Sequence, residues 1–146
     1  MALVKFVKLN EKAIVPTYGT ECAAGADIYA LLDCDIAINP GETVMIHTGI
    51  AMQIPDGTAA FIFARSGIAT KRGLAPANKV GVIDSDYRGE VMVPIRNHSQ
   101  QQQIISCGER VAQMVIMPYV KAEFTECESL DETERNVSGF GSTGTK

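Results

Sequence analysis

A chain of 146 residues that is 46% apolar and 21% charged has the size and make-up of one globular domain. At that length folding buries roughly two-thirds of the unfolded surface without disulfide or metal staples. Gly plus Pro, 13 + 6 = 19 residues, is ordinary usage and excludes collagen-like and wholly disordered chains. The net charge of −4 leaves no basic excess for a phosphodiester backbone, so stable nucleic-acid binding is not expected, while a small phosphorylated ligand is allowed.

The chain opens with a strand pattern over residues 3–9. Charges at Lys5 and Lys8 break the apolar stretch that a signal peptide needs, and no later run is long enough for a membrane span, so a cytoplasmic, intracellular protein is expected. The strongest pattern covers residues 44–54: Val44, Ile46, Ile50, Met52 and Ile54 take one phase, Met45, His47, Gly49, Ala51 and Gln53 the other, which predicts a long half-buried strand. Asn39-Pro40-Gly41-Glu42 and Pro55-Asp56-Gly57-Thr58 bracket it with turn chemistry. A strand at 59–64 leads to the single helix candidate, residues 66–71, opened by Ser66 as a capping-competent residue. Further strands fit 80–83, 90–96 and 110–119, and Pro94 predicts a bulge or sheet edge in the second of these. Gln100 to Gln103 form a polar loop. Many short strands separated by turns predict a β-sandwich or barrel. Residues 1–130 are expected to form this domain. Residues 131–146, with only Val137 and Phe140 as bulky apolar groups, cannot build a core and form a flexible C-terminal arm.

Four cysteines, Cys22, Cys34, Cys107 and Cys127, show no C-x-x-C pairing and read as reduced thiols, mostly small core residues. His47 lies in a strand and His98 in a loop, and neither has a sequence partner suited to catalysis. The tail 139–146 ends Gly144-Thr145-Lys146 where a P-loop needs Gly-Lys-Ser/Thr before a helix, so that reading fails. A glycine- and hydroxyl-rich segment remains, able to wrap a polyphosphate with Ser142, Thr143 and Arg135. Arg65-Ser66-Gly67 stands ahead of the helix candidate, either a phosphate cradle or a common Ser-Gly turn. Residues 81–89 place Asp84 and Asp86 at a strand end before a tight turn, which serves a rigidly held carboxylate or a plain acidic hairpin. Asp27 is an exposed strand-end residue or a carboxylate near bound Mg²⁺.

In order, Ala24-Gly25-Ala26-Asp27-Ile28, Ala64-Arg65-Ser66-Gly67, residues 81–89, Gly108-Glu109-Arg110-Val111-Ala112-Gln113-Met114 and residues 135–144 resemble the five motifs of the homotrimeric dUTPase family. Ala64 stands where many members have proline. The resemblance implies an all-β jelly-roll barrel with one short helix, assembled as a homotrimer whose sites are shared between chains. It implies hydrolysis of dUTP to dUMP and pyrophosphate with Mg²⁺, which limits uracil incorporation into DNA and supplies dUMP for dTMP synthesis. Asp84 would orient and deprotonate the attacking water, and Asp27 would hold Mg²⁺ through water. Arg65, Ser66, Gly67 and Gln113 would grip the phosphates. Asn78, Gly81 and Ile83 would line the uracil subsite, and Tyr87 would press on the sugar. Arg135, Gly141, Ser142 and Thr143 from another subunit would close over the phosphates while Phe140 stacks on uracil. A dCTP deaminase and a non-catalytic nucleotide-sensing or protein-binding barrel are the rival readings. Tyr87, Asp84, Arg135 and the Phe140 tail speak for the phosphohydrolase.

Overall fold

The structure, a computed structural model, describes residues 2–139. Its strands are β1 (Lys5–Lys8), β2 (Thr17–Tyr18), β3 (Ala26–Tyr29), β4 (Ile36–Ile38), β5 (Thr43–Gln53) and β6 (Thr58–Ala64). The helix α1 (Ser66–Arg72) follows, then β7 (Leu74–Pro76), β8 (Gly81–Ile83), β9 (Glu90–Asn97), β10 (Gln103–Ile105) and β11 (Arg110–Pro118). Antiparallel pairing builds a four-stranded sheet β1-β5-β9-β7, a five-stranded sheet β2-β3-β11-β6-β8 and the pair β10-β4. This is the all-β architecture that the turn spacing predicts, in the jelly-roll form that the family resemblance implies. Inward-facing Ile28, Ile46, Ile50, Ile62, Val93, Ile95 and Val111 fill the space between the sheets, each contributing about 1.5–3 kcal/mol by leaving water. Among the described residues no helix is long and apolar enough to cross a membrane.

Several local expectations change. The alternation in β5 holds from Thr43 to Thr48 and then lapses, because a register shift lies between His47 and Ala51 and residues 48–52 are all buried. Gly49 sits there at φ +67, and a Cβ on it would stand 2.6 Å from Leu31 Cδ2, so both backbone shape and space require glycine. Pro94 marks neither an edge nor this bulge, since β9 lies between β5 and β7. Its carbonyl accepts from the Ala77 N–H, and the reciprocal bond that proline cannot donate falls on Ala77, just past the point where β7 stops at Pro76, so the ladder forgoes one bond at its end and none in its interior. Ser66 does not cap α1: Arg65 is the N-cap residue and makes no side-chain cap bond. All four cysteines are exposed free thiols rather than core residues, because they occupy loops and turns, where no inward strand phase holds them. The glutamine loop ends a residue early, with Gln103 opening β10.

Beyond Pro118 the chain runs exposed through Ser138. Phe124 and Leu130 are 95% and 87% exposed.

Candidate functional site

Two connections, residues 77–80 and 84–89, carry the chain from one sheet to the other, because β7 and β9 belong to the four-stranded sheet and β8 pairs with β6 in the five-stranded one. The acidic segment is therefore a crossover between sheets rather than the expected hairpin. The two crossovers flank a cavity of about 320 Å³, walled by Met45, Met92 and Pro94 on one sheet and Ile62 on the other. Its volume is in the range of small-molecule sites. Asn78, Gly81, Ile83, Asp84 and Tyr87 all line it, so the structure brings together the described residues expected at the nucleoside end; Phe140, expected on the base, is not among them. A Cβ on Gly81 would lie 3.2 Å from Ile62 Cβ and 3.3 Å from Asn78 Nδ2, so glycine keeps this wall thin. Tyr87 anchors its own turn, its N–H donating to the Asp84 carbonyl at 3.2 Å and its hydroxyl to the Glu90 carbonyl at 3.0 Å.

A second cluster forms where β3, β11 and β6 lie side by side. Register places Gln113 opposite both Asp27 and Phe63. Gln113 Nε2 donates to the Ala64 carbonyl at 3.0 Å, and its Oε1 comes within 2.7 Å of where a Gly25 Cβ would be, so only glycine there admits the amide. Arg65 Nε donates to Asp27 Oδ1 at 3.0 Å and Arg110 Nη1 to Asp27 Oδ2 at 3.1 Å. Asp27 is thus partly buried between two guanidinium groups. Arg65 Nη1 lies 3.1 Å from the position of a Cβ on Gly67, over the uncapped start of α1. Free N–H groups and an arginine at one spot make a cradle for an anion.

The cavity and the cradle lie at opposite ends of β6. Ile83 pairs with Ala60, which sets Asp84 level with Ala59, whereas Arg65 follows the last residue of β6. The interval, 65 − 59 = 6 residues, spans about 20 Å at ~3.3 Å per residue.

The dUTPase family model matches residues 11–144. A deoxyuridine 5'-triphosphate nucleotidohydrolase of Desulfitobacterium hafniense is 48% identical over 97% of this chain and 94% of its own length, and one of Klebsiella pneumoniae is 46% identical over 95% and 92%. A dUTPase of Staphylococcus bacteriophage 80alpha, solved with dUpNHpp, superposes with a TM-score of 0.84 at 26% identity, covering 98% of this chain and 99% of its own. The chain belongs to the dUTPase family.

Other features of this dUTPase escaped the sequence reading. His47 does have a partner: its Nδ1 lies 2.8 Å from Glu90 Oε2. The other Glu90 oxygen accepts from the Thr48 N–H at 3.1 Å and the Gly49 N–H at 2.7 Å. Burial pushes the Glu90 carboxyl up, but the bonds from His47, Gly49 and Thr48 and the nearby imidazole together hold it below its ordinary 4.5. Arg110, inside the fourth motif, also went unmarked. Its position at the start of β11, across from β3, is a matter of strand pairing that spacing alone does not reveal. Arg135 is exposed in the C-terminal segment, its Nε donating to the Ser138 carbonyl at 3.0 Å, away from any regular element. Phe140, Gly141, Ser142 and Thr143 lie outside the described residues.

Proposed function

We propose that this dUTPase converts dUTP to dUMP and pyrophosphate by attack of water at the α-phosphorus, in sites shared between three copies of the chain and assisted by Mg²⁺. The observation that carries this reading is the convergence of Asn78, Gly81, Ile83, Asp84 and Tyr87 on one nucleoside-sized cavity. Asn78 and the backbone beside Gly81 and Ile83 read the uracil edge, and the narrow wall against Ile62 excludes a 5-methyl group by overpacking. Tyr87 covers the sugar and leaves no room or partner for a ribose 2'-hydroxyl. Asp84 accepts the proton of the attacking water. Such a base contributes ~10²–10⁴-fold, so positioning and charge neutralisation along the triphosphate supply the larger part.

Those tasks fall to Arg65, Ser66, Gly67 and Gln113, which within one chain lie about 20 Å from Asp84 by strand spacing. One triphosphate does not bridge that gap, so the cradle that serves a given cavity comes from another copy. Arg135 and the arm residues Phe140, Gly141, Ser142 and Thr143 complete the enclosure from a neighbouring chain, Phe140 on the base and the others on the phosphates.

The donor set also fits Mg²⁺, within limits. Each Asp27 oxygen holds one guanidinium bond and keeps acceptor capacity beyond it, which suits a water-mediated hold and not direct ligation. Among the described residues no three His, Cys, Asp or Glu side chains converge to hold a metal; Asp27 would hold Mg²⁺ through water, and the ion would supply neutralisation of developing phosphate charge. The test is pyrophosphate release from dUTP, dTTP, dCTP and UTP side by side, with Mg²⁺ and with chelator. Release confined to dUTP and dependent on the metal is expected. Ammonia from dCTP, or dUTP consumed without pyrophosphate, overturns the reading.

A further inference from the structure

Glu90 begins β9 and lines the nucleoside cavity, yet the reaction as described above gives it no part. Its main chain and side chain face two different tasks. The carbonyl accepts the Tyr87 hydroxyl, and a Cβ on Gly89 would collide with that hydroxyl, so the ring folds back over bare backbone to reach it. The carboxylate bonds His47 and takes the N–H groups of Thr48 and Gly49, the donors that the register shift in β5 removes from the ladder with β9. Thr48 closes the unit through its hydroxyl, which donates to the Val91 carbonyl at 2.6 Å. The start of β9, where the tyrosine is anchored, is thereby fastened to the β5 bulge.

We propose that Glu90, backed by His47, is a positioning residue that fixes the Tyr87 ring and so sets discrimination between deoxyribose and ribose. This rests on the reading of Tyr87 as the residue over the sugar. Without the carboxylate, two partly buried N–H groups lose their acceptor, the first residue of β9 is free to shift, and the ring loses the fixed carbonyl that orients it. A ribose then fits more easily, while Asp84 and the phosphate cradle are untouched.

The experiment compares kcat/KM for dUTP and UTP in Glu90→Ala, Glu90→Gln, His47→Ala, Tyr87→Phe and the Glu90→Ala/Tyr87→Phe pair, with folding checked by circular dichroism. Glu90→Ala is expected to raise relative use of UTP by about tenfold, the scale of one lost hydrogen-bond constraint, with most of the change in KM. Glu90→Gln restores discrimination, because its amide oxygen accepts from Thr48 and Gly49 and its NH₂ donates to the His47 ring in the other tautomer. His47→Ala, at an exposed site, shifts the ratio less and in the same direction. The double variant is no worse than either single, because both break one linkage. An unchanged UTP-to-dUTP ratio in Glu90→Ala and His47→Ala, or additive effects in the pair, overturns the proposal. If the unsubstituted enzyme ignores dUTP, it is the proposed function that has failed instead.

Discussion

Mixing two dead enzymes tests the shared site directly. Asp84→Asn removes the base, and Arg65→Ala removes a phosphate ligand at the other end of β6. Neither change should unfold the barrel: Asp84 is exposed, and Asp27 keeps Arg110 as a counterion when Arg65 is lost. The two positions lie about 20 Å apart along one strand, so on the proposed reading no active site draws both from one chain. When the variants are co-refolded in equal amounts, each site takes its base from an intact chain half the time and its cradle from an intact chain, chosen independently, half the time. About one quarter of the sites are then whole, and the mixture should recover about 25% of unsubstituted activity, although each variant alone has little. The readout is pyrophosphate release, with differently tagged chains showing that mixed assemblies have formed. Mixed assemblies with no recovered activity would refute the reasoning, since that outcome requires both groups to come from one chain.

Asp84→Asn alone should keep nucleotide affinity within about tenfold while turnover drops by ~10²-fold or more, as steady-state rates and equilibrium binding will show. Ending the chain after Glu134 should leave the melting temperature and assembly unchanged yet abolish most turnover, because residues 131–138 are exposed and lend the barrel no core. Glu90 predicts the acid limb of stability. Its carboxyl is held below 4.5 in the folded state, so its stabilisation is complete above about pH 4.5 and disappears as pH falls through the lowered value. Glu90→Gln has no such charge to lose, and its melting temperature should fall less steeply than that of the unsubstituted protein between about pH 5 and pH 3.

Long strands were legible because their alternation is local: residues 59–64 and 90–96 were expected within a residue or two of β6 and β9. The short strands β2, β4, β7 and β10 were not, since two or three residues carry no period, and only pairing with distant partners defines them. The site divides in the same way. Asp27, Arg65, Asp84 and Tyr87 announced themselves through motif order. Arg110 and Glu90 did not, because their importance arises from neighbours 83 and 43 positions away in the chain. Pro94 misled for a related reason: proline penalises a ladder bond, but here the bond it forgoes lies just past the end of β7, so a central strand tolerates it.

The grip on Asp27 ties the electrostatics together. An acidic chain of net charge −4 must still attract a triphosphate, so the attraction has to be local. At the cradle two guanidinium groups face one carboxylate, a surplus of one positive charge in a partly buried setting where screening is weaker than in bulk water. Asp27 does more than offset charge. By taking Arg65 through Nε it leaves the outer nitrogens of that guanidinium free and fixes their direction, over Gly67 and the first N–H groups of α1. A lone arginine on a loop would have to be ordered when the nucleotide arrives, at a cost in side-chain entropy. Here the barrel has ordered it in advance, so on the proposed reading the binding energy of the phosphates would not be spent on that step. On the proposed reading, that carboxylate would pass a water to a metal only with the phosphates present to neutralise the flanking arginines, so nucleotide and Mg²⁺ would enter this site as partners and Asp27 would be the residue through which that coupling acts.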